Sequence, residues 1–129
     1  MRKFMAHDIH WVREGRVLFV NYKEHQTVET VKDCLDEMEQ YLDSVTHPIF
    51  LLINWLEVTQ VDKEALTANQ GHRTYSHPMA ARGVLVGFDP LEAFQNEVTS
   101  VKTRGNKNTI YFKTVPEALD YLKTVLEMA

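Results

Sequence analysis

Three apolar runs in this chain do not alternate with polar residues. They are Val17-Leu18-Phe19-Val20, Ile49-Phe50-Leu51-Leu52-Ile53 and the glycine-bounded Gly83-Val84-Leu85-Val86-Gly87-Phe88. Each is too short for a helix buried on every side. A strand with apolar side chains pointing both ways has to be covered on both faces, as in a parallel sheet flanked by helices. The runs therefore direct the chain toward an α/β architecture, and the segments between them must supply the covering helices.

The first run has an antiparallel neighbour. Ile9-His10-Trp11-Val12 and the strand from Val17 to Tyr22 are joined by Arg13-Glu14-Gly15-Arg16, a short turn with a glycine available for positive φ. From about Thr27 to Val45 the spacing predicts a helix with Val28, Val31, Leu35, Met38 and Leu42 on one stripe. Pro48 marks its boundary, and Ile49 to Trp55 is the next strand. A further helix is expected from Asp62 to about Tyr75, although Gly71 and the cluster His72-Arg73-Thr74-Tyr75-Ser76-His77-Pro78 weaken its end.

Two helix starts carry capping signals. Asp89-Pro90-Leu91-Glu92 places an N-cap aspartate, a proline in the first helical position and a glutamate at N3, ahead of the stripe Leu91, Phe94, Val98 and Val101. Thr114-Val115-Pro116-Glu117 repeats the logic ahead of Ala118, Leu119, Leu122, Val125 and Leu126. Between them, Thr109-Ile110-Tyr111-Phe112 is a short strand entered from the turn-rich Gly105-Asn106-Lys107-Asn108. The order is ββαβαβαβα. It predicts one α/β domain over residues 1–129, with a mostly parallel five-stranded sheet, an antiparallel N-terminal hairpin strand and four helices.

At 129 residues the chain has room for one hydrophobic core. No apolar stretch approaches a membrane span, and the basic start has no apolar segment behind it to make a signal peptide. The single cysteine, Cys34, excludes an internal disulfide and fits a reducing cytoplasm. A net charge of −4 argues against nucleic acid as a partner. Charge is uneven all the same. Glu29, Asp33, Asp36, Glu37, Glu39 and Asp43 crowd the first helix, while Lys102, Arg104 and Lys107 form a basic stretch.

The chain shows no catalytic constellation. Cys34 lies on or beside an apolar stripe between Asp33 and Asp36, which oppose a thiolate, so it reads as a core residue. The six histidines include no i,i+4 zinc pair, and neither phosphate-loop pattern is present. His72 and His77, converging with Asp62 or Asp89, are the one arrangement that offers a metal or acid/base site. Asp89 with Glu92 is better explained as a cap than as a catalytic pair. No catalytic residue, metal ligand or cofactor is assigned. In an open α/β sheet, ligands bind outside the carboxyl ends of the parallel strands. Here those ends offer Asn54 and Trp55, Phe88 and Asp89, Lys113, and the Tyr22-Lys23 end of the hairpin strand.

The segment from Leu51 to Leu66 carries a family resemblance. A buried strand followed by Val58-Thr59-Gln60-Val61-Asp62-Lys63-Glu64 resembles the signature of STAS domains, the anti-sigma-factor antagonist family. The likeness extends to Trp11-x-x-x-Gly15-Arg16-Val17-x-x-Val20, to Val84-Leu85-Val86-Gly87 before a helix, and to the closing Phe112-x-Thr114-x-x-Glu117-Ala118-Leu119-x-Tyr121-Leu122. The closing motif looks most like the SpoIIAA-like branch, related in fold to CRAL-TRIO lipid-carrier domains. The resemblance implies a SpoIIAA-like fold and a regulatory domain that binds a protein partner, as a homodimer in the bacterial cytoplasm. Its alternative is a carrier or sensor of a small apolar or lipid-like ligand. The family's phosphorylated serine stands two positions after the aspartate. Here Lys63 and Glu64 follow Asp62, so the hydroxyl of that switch is missing. The residues expected to face a partner or ligand are Asn54, Trp55, Asp62, Lys63, Glu64, Phe88 and Asp89.

Overall fold

The hairpin that the sequence places first is built around Gly15, whose φ of 74° turns the chain between two antiparallel strands. The structure is a computed structural model and describes residues 6–87 and 109–128. The strands are β1 (His7–Arg13), β2 (Val17–Gln26), β3 (Ile49–Val61), β4 (Ala80–Val86) and β5 (Thr109–Phe112). They form one sheet in the order β1-β2-β3-β4-β5, antiparallel at β1/β2 and parallel thereafter. The helices among the described residues are α1 (Val28–Ser44), the single turn α2 (Glu64–Thr67) and α3 (Val115–Met128), with a 3-10 turn at Arg73–Ser76. None of them is long and apolar enough to cross a membrane. The expected helix from Asp89 lies outside the described residues.

The non-alternating runs do face two cores. Leu18, Val20 and Tyr22 of β2 pack with Ile49, Leu51 and Trp55 of β3 beneath α1. Val17 of β2, Leu52 of β3 and Val84 and Val86 of β4 pack beneath Ala118 and Leu122 of α3. This follows from the period of two along each strand, which sends adjacent apolar residues to opposite faces. The cap expected at Thr114 is present, and α1 carries a capping box as well. In α1 the Thr27 side chain accepts from the Thr30 amide at 3.1 Å, while the Thr30 hydroxyl accepts from the Thr27 amide at 2.7 Å. At α3 the Glu117 amide donates to Thr114 Oγ1 at 3.3 Å.

Two expectations are corrected. The strand read as ending at Trp55 continues to Val61. Its pairing with β2 shifts register between Asn21 and Lys23 and again between Glu24 and His25, each time with an extra residue on β3. Such bulges break the period of two. Trp55, Val58 and Val61, three residues apart, all pack against the α1-side core, a spacing that a regular strand would split between faces. The segment lacks alternation and reads as a bend for that reason. The helix expected from Asp62 to Tyr75 is the one-turn α2 followed by turns and the 3-10 segment.

The chain between α2 and β4 uses its polar side chains on α1 instead of on a helix of its own. Asn69 Nδ2 donates to the Val28 carbonyl at 3.1 Å, Thr74 Oγ1 donates to the Leu35 carbonyl at 3.1 Å, and Arg73 pairs with Glu39. His72 Nε2 meets Asp36 Oδ1 at 2.8 Å, and His77 Nε2 meets Asp43 Oδ1 at 2.7 Å. Asn69 and Thr74 are buried, so these bonds satisfy groups that water does not reach.

Gln26, at the end of β2, is fully buried and ties three segments together. Its Nε2 donates to the Ala6 carbonyl at 2.9 Å and the Lys23 carbonyl at 2.7 Å, and its Oε1 accepts from Thr30 Oγ1 at 2.9 Å. Gln26→Leu keeps most of the volume and removes every one of these bonds. It is expected to cost about 2–4 kcal/mol, because buried partners lose hydrogen bonds without gaining water. The urea midpoint should fall with no change in slope, and a loss below about 0.5 kcal/mol would mean that the amide is not structural.

Candidate functional site

The candidate surface is the carboxyl end of the parallel strands, where β2 and β3 outrun their neighbour. Pairing of β3 with β4 stops at Asn54 and Val86, whereas pairing of β3 with β2 continues to Val61 and Gln26. The ends of β2 and β3 therefore project as a two-stranded ribbon beyond β4.

At the base of the ribbon lies a polar ladder on the α3 side of the sheet. Asn21 and Asn54 are register partners, 8% and 5% exposed. Asn54 Nδ2 donates to Asn21 Oδ1 at 2.9 Å, and Asn21 Nδ2 donates to Glu57 Oε2 at 3.1 Å. Asn54 Oδ1 accepts from the Leu56 amide at 3.2 Å, so the side chain serves the backbone where β4 leaves off. Asn21 and Glu57 were not among the residues expected from the sequence. A signal was present: Val20-Asn21-Tyr22 and Ile53-Asn54-Trp55 repeat one pattern, an asparagine between a β-branched and an aromatic residue in adjacent strands.

Leu56 is 53% exposed and leans over Gly87, where an added Cβ would stand 2.6 Å from Leu56 Cδ2. Gly87 also has a φ of 88°, so both backbone and space require glycine there. Farther out, Glu24 holds a φ of 61°, a left-handed conformation costly for a residue with a side chain. Beside it, the exposed His25 Nε2 donates to Asp62 Oδ1 at 2.6 Å, joining the tips of β2 and β3.

The expected site residues are distributed as follows. Asn54 sits in the buried ladder and Asp62 at the ribbon tip. Lys63 and Glu64 are exposed immediately after it, with Glu64 opening α2. Trp55 is no wall of an open site. It is 4% exposed, faces α1, and stacks on Tyr22 with ring centroids 4.4 Å apart. The alternation along β3 sends Trp55 to the face opposite Asn54. Phe88 and Asp89 lie outside the described residues. Lys113 is exposed.

Tyr22 and Cys34 are both buried in the core on the α1 side of the sheet. Burial pushes the Cys34 thiol up to about 12 and holds Tyr22 well above the usual phenol range. A thiol so placed is no nucleophile at neutral pH, in line with its reading as a core residue.

The histidines do not converge on Asp62. That arrangement is corrected because the chain bearing His72 and His77 lies along α1, away from the strand ends, where Asp62 takes His25 instead. Asp36, Glu39 and His72 do bring one potential ligand atom each within 4.8 Å of one another. Their bonding shows a strap. Hydrogen bonds from Lys32 and then His72 hold the Asp36 carboxyl below its ordinary value, and Arg73 engages Glu39. His72 Nδ1 accepts the Thr74 amide at 3.1 Å, which leaves the ring proton on Nε2 and aimed at Asp36. A ligating histidine has the opposite arrangement, donating through the nitrogen that does not bind. His77 repeats the strap, with Nδ1 accepting the Met79 amide at 3.1 Å and Nε2 facing Asp43.

The whole fold is similar to solved structures. One is an uncharacterized protein of the DUF3478 family with a SpoIIAA-like fold from Shewanella loihica PV-4. It has 18% identity and a TM-score of 0.62, covering 95% of this chain and 98% of that one. A second is the anti-sigma-factor antagonist SpoIIAA in its unphosphorylated form, with 14% identity, a TM-score of 0.61 and coverage of 92% and 98%. A third is the Bacillus cell fate determinant SpoIIAA in its phosphorylated form, with 12% identity, a TM-score of 0.58 and coverage of 91% and 99%. No protein-family model matches the chain, and no curated protein does. At these identities the likeness establishes a SpoIIAA-like fold, as the sequence motifs implied.

Proposed function

We propose that this chain is a non-enzymatic regulatory domain that docks a protein partner on its projecting β2–β3 ribbon. The observation that carries the reading is the ribbon itself. Strands that outrun their sheet expose Leu56, Glu57, Thr59 and Gln60 on a rigid base pinned by the Asn21–Asn54–Glu57 ladder. Rigid presentation of an exposed apolar residue within polar surroundings suits protein docking. The anti-sigma-factor antagonism of SpoIIAA, which has the same fold, supports a regulatory role.

The docking does not depend on a serine switch. Glu64 occupies the position that the family resemblance gives to the serine, and it begins α2, where a carboxylate complements the helix dipole. A carrier of an apolar ligand has less support, because Trp55 fills the core against Tyr22.

A photo-crosslinking residue at Thr59 should capture one discrete protein in cells, and Leu56→Asp should abolish the capture while leaving the circular dichroism intact. The same probe at Lys123, on α3, should not capture it. A crosslink between two copies would assign the surface to a homodimer. Equal labelling from Thr59 and Lys123, together with a small molecule retained in native mass spectrometry, would favour the carrier.

A further inference from the structure

We infer that the edge of β3 from Leu56 to Val61, which carries no strand among the described residues, accepts a basic, extended segment of a partner as an added strand. This rests on the docking role proposed above and specifies the chemistry of the partner.

Two independent features of the ribbon lead to it. The first is the unused edge. Beyond Asn54, β3 keeps β2 on one side and has no strand on the other among the described residues. The Leu56 amide is taken by Asn54 Oδ1, which ends the β4 ladder cleanly. Past that point β3 is held by its pairing with β2 alone among the described strands. An exposed edge of this kind is a template for strand addition, with backbone bonds supplying affinity and alternate side chains supplying selectivity. The two bulges twist β3, so the added segment is short, on the order of three rungs.

The second feature is charge. Glu24, Glu57, Asp62 and Glu64 surround the ribbon, and all but the half-buried Asp62 are exposed. Against them, among the described residues, stand Lys63, His25 on Asp62, and Lys23, which Asp8 engages at 2.8 Å. The balance favours lysine or arginine on the arriving segment and rejects an acidic one. Leu56, 53% exposed, adds an apolar contact for one alternate position. An acidic edge also repels a second copy of the same edge, which directs pairing toward a different chain.

The test uses the whole chain and a synthetic probe, an alternating lysine–valine peptide about eight residues long. Binding should appear in backbone amide chemical shifts at low salt. Those amides between Glu57 and Val61 that exchange freely in the protein alone should then exchange more slowly with solvent. Affinity should fall as salt rises through the range in which the screening length drops below about 10 Å. A glutamate–valine counterpart should not bind. Glu24→Gln and Glu57→Gln should each weaken binding by about threefold. A fully N-methylated lysine–valine peptide keeps the charge and loses the backbone donors, and it should not bind.

Equal binding by the N-methylated peptide would overturn strand addition, as would binding without amide protection. So would failure of the lysine–valine peptide to bind at low salt. If that peptide fails while Thr59 still captures a discrete protein in cells, the docking role stands and the basic added strand falls. If Thr59 captures nothing either, both fall.

Discussion

Trp55→Ala is expected to destabilise the protein by about 3–5 kcal/mol, the range for removing a large buried aromatic side chain. The indole is 4% exposed and stacked on Tyr22. Alanine would leave a void between β3 and α1 that a sheet and a capped helix cannot close, so both the transfer energy and the packing contacts are lost. Chemical denaturation should show a lower midpoint at unchanged slope. The same measurement separates two views of the strand ends. A tryptophan lining an open ligand site would be nearly dispensable for stability, and a loss below about 1 kcal/mol would contradict the filled core described here.

A second large effect is expected at alkaline pH. The Cys34 thiol is raised from 9.0 to about 12 in the fold, with burial as the main cause. Below pH 9 the thiol is protonated in both the folded and the unfolded chain and contributes no pH dependence. Above pH 9 the unfolded chain releases the proton and the folded chain keeps it, so stability falls until the folded group ionises near 12. The fall amounts to roughly tenfold in the folding equilibrium per pH unit, or about 4 kcal/mol across the window. Tyr75 acts in the same direction. Its ring is partly exposed, yet burial around its hydroxyl is the main cause that raises it to about 12. Unfolding curves from pH 7 to 11 should be flat at first and then drop, and Cys34→Ala should flatten the drop. A wild-type curve level to pH 11 would show that the thiol is reached by water.

Acid should act through different groups. Lys23 holds Asp8 below its ordinary value, and Lys32 with His72 does the same for Asp36. Each favours the fold above the usual carboxylate range and loses that contribution as pH falls through its lowered value. Both carboxylates are well exposed, so the acid limb should be shallower than the alkaline one.

The readable parts of the chain share one property, that local patterns decide them. The apolar runs of β2, β3 and β4 declare burial on both faces, and they are buried on both faces. Thr114 acts as the cap that its sequence signals, because a cap needs only groups three residues away. Cys34 reads as core because its neighbours on the stripe are apolar.

The misread parts depend on groups distant in sequence. The end of β3 does not read as a strand because its bulges answer to β2, and bulges erase the alternation by which strands are recognised. The segment after Asp62 reads as a helix because Asn69, His72, Thr74 and His77 are silent about their partners. Those partners are Val28, Asp36, Leu35 and Asp43, more than thirty residues away. At the site, Asn54 was legible as a polar residue at a strand end. Its partners Asn21 and Glu57 became evident only when the β2–β3 register was known.

By itself, then, the sequence determined a single α/β domain, the succession of its strands along the chain and the helices α1 and α3 that cover the sheet. Hydrophobic period and capping chemistry act over a few residues and are written locally. Only the tertiary structure decided that β2 and β3 outrun β4, that Trp55 closes the core while Leu56 is exposed, and that the histidines strap the α2–β4 segment to α1. Each of these depends on which strands or helices lie side by side. That is settled by the simultaneous packing of two cores and by the hydrogen bonds that buried polar groups must find across the fold.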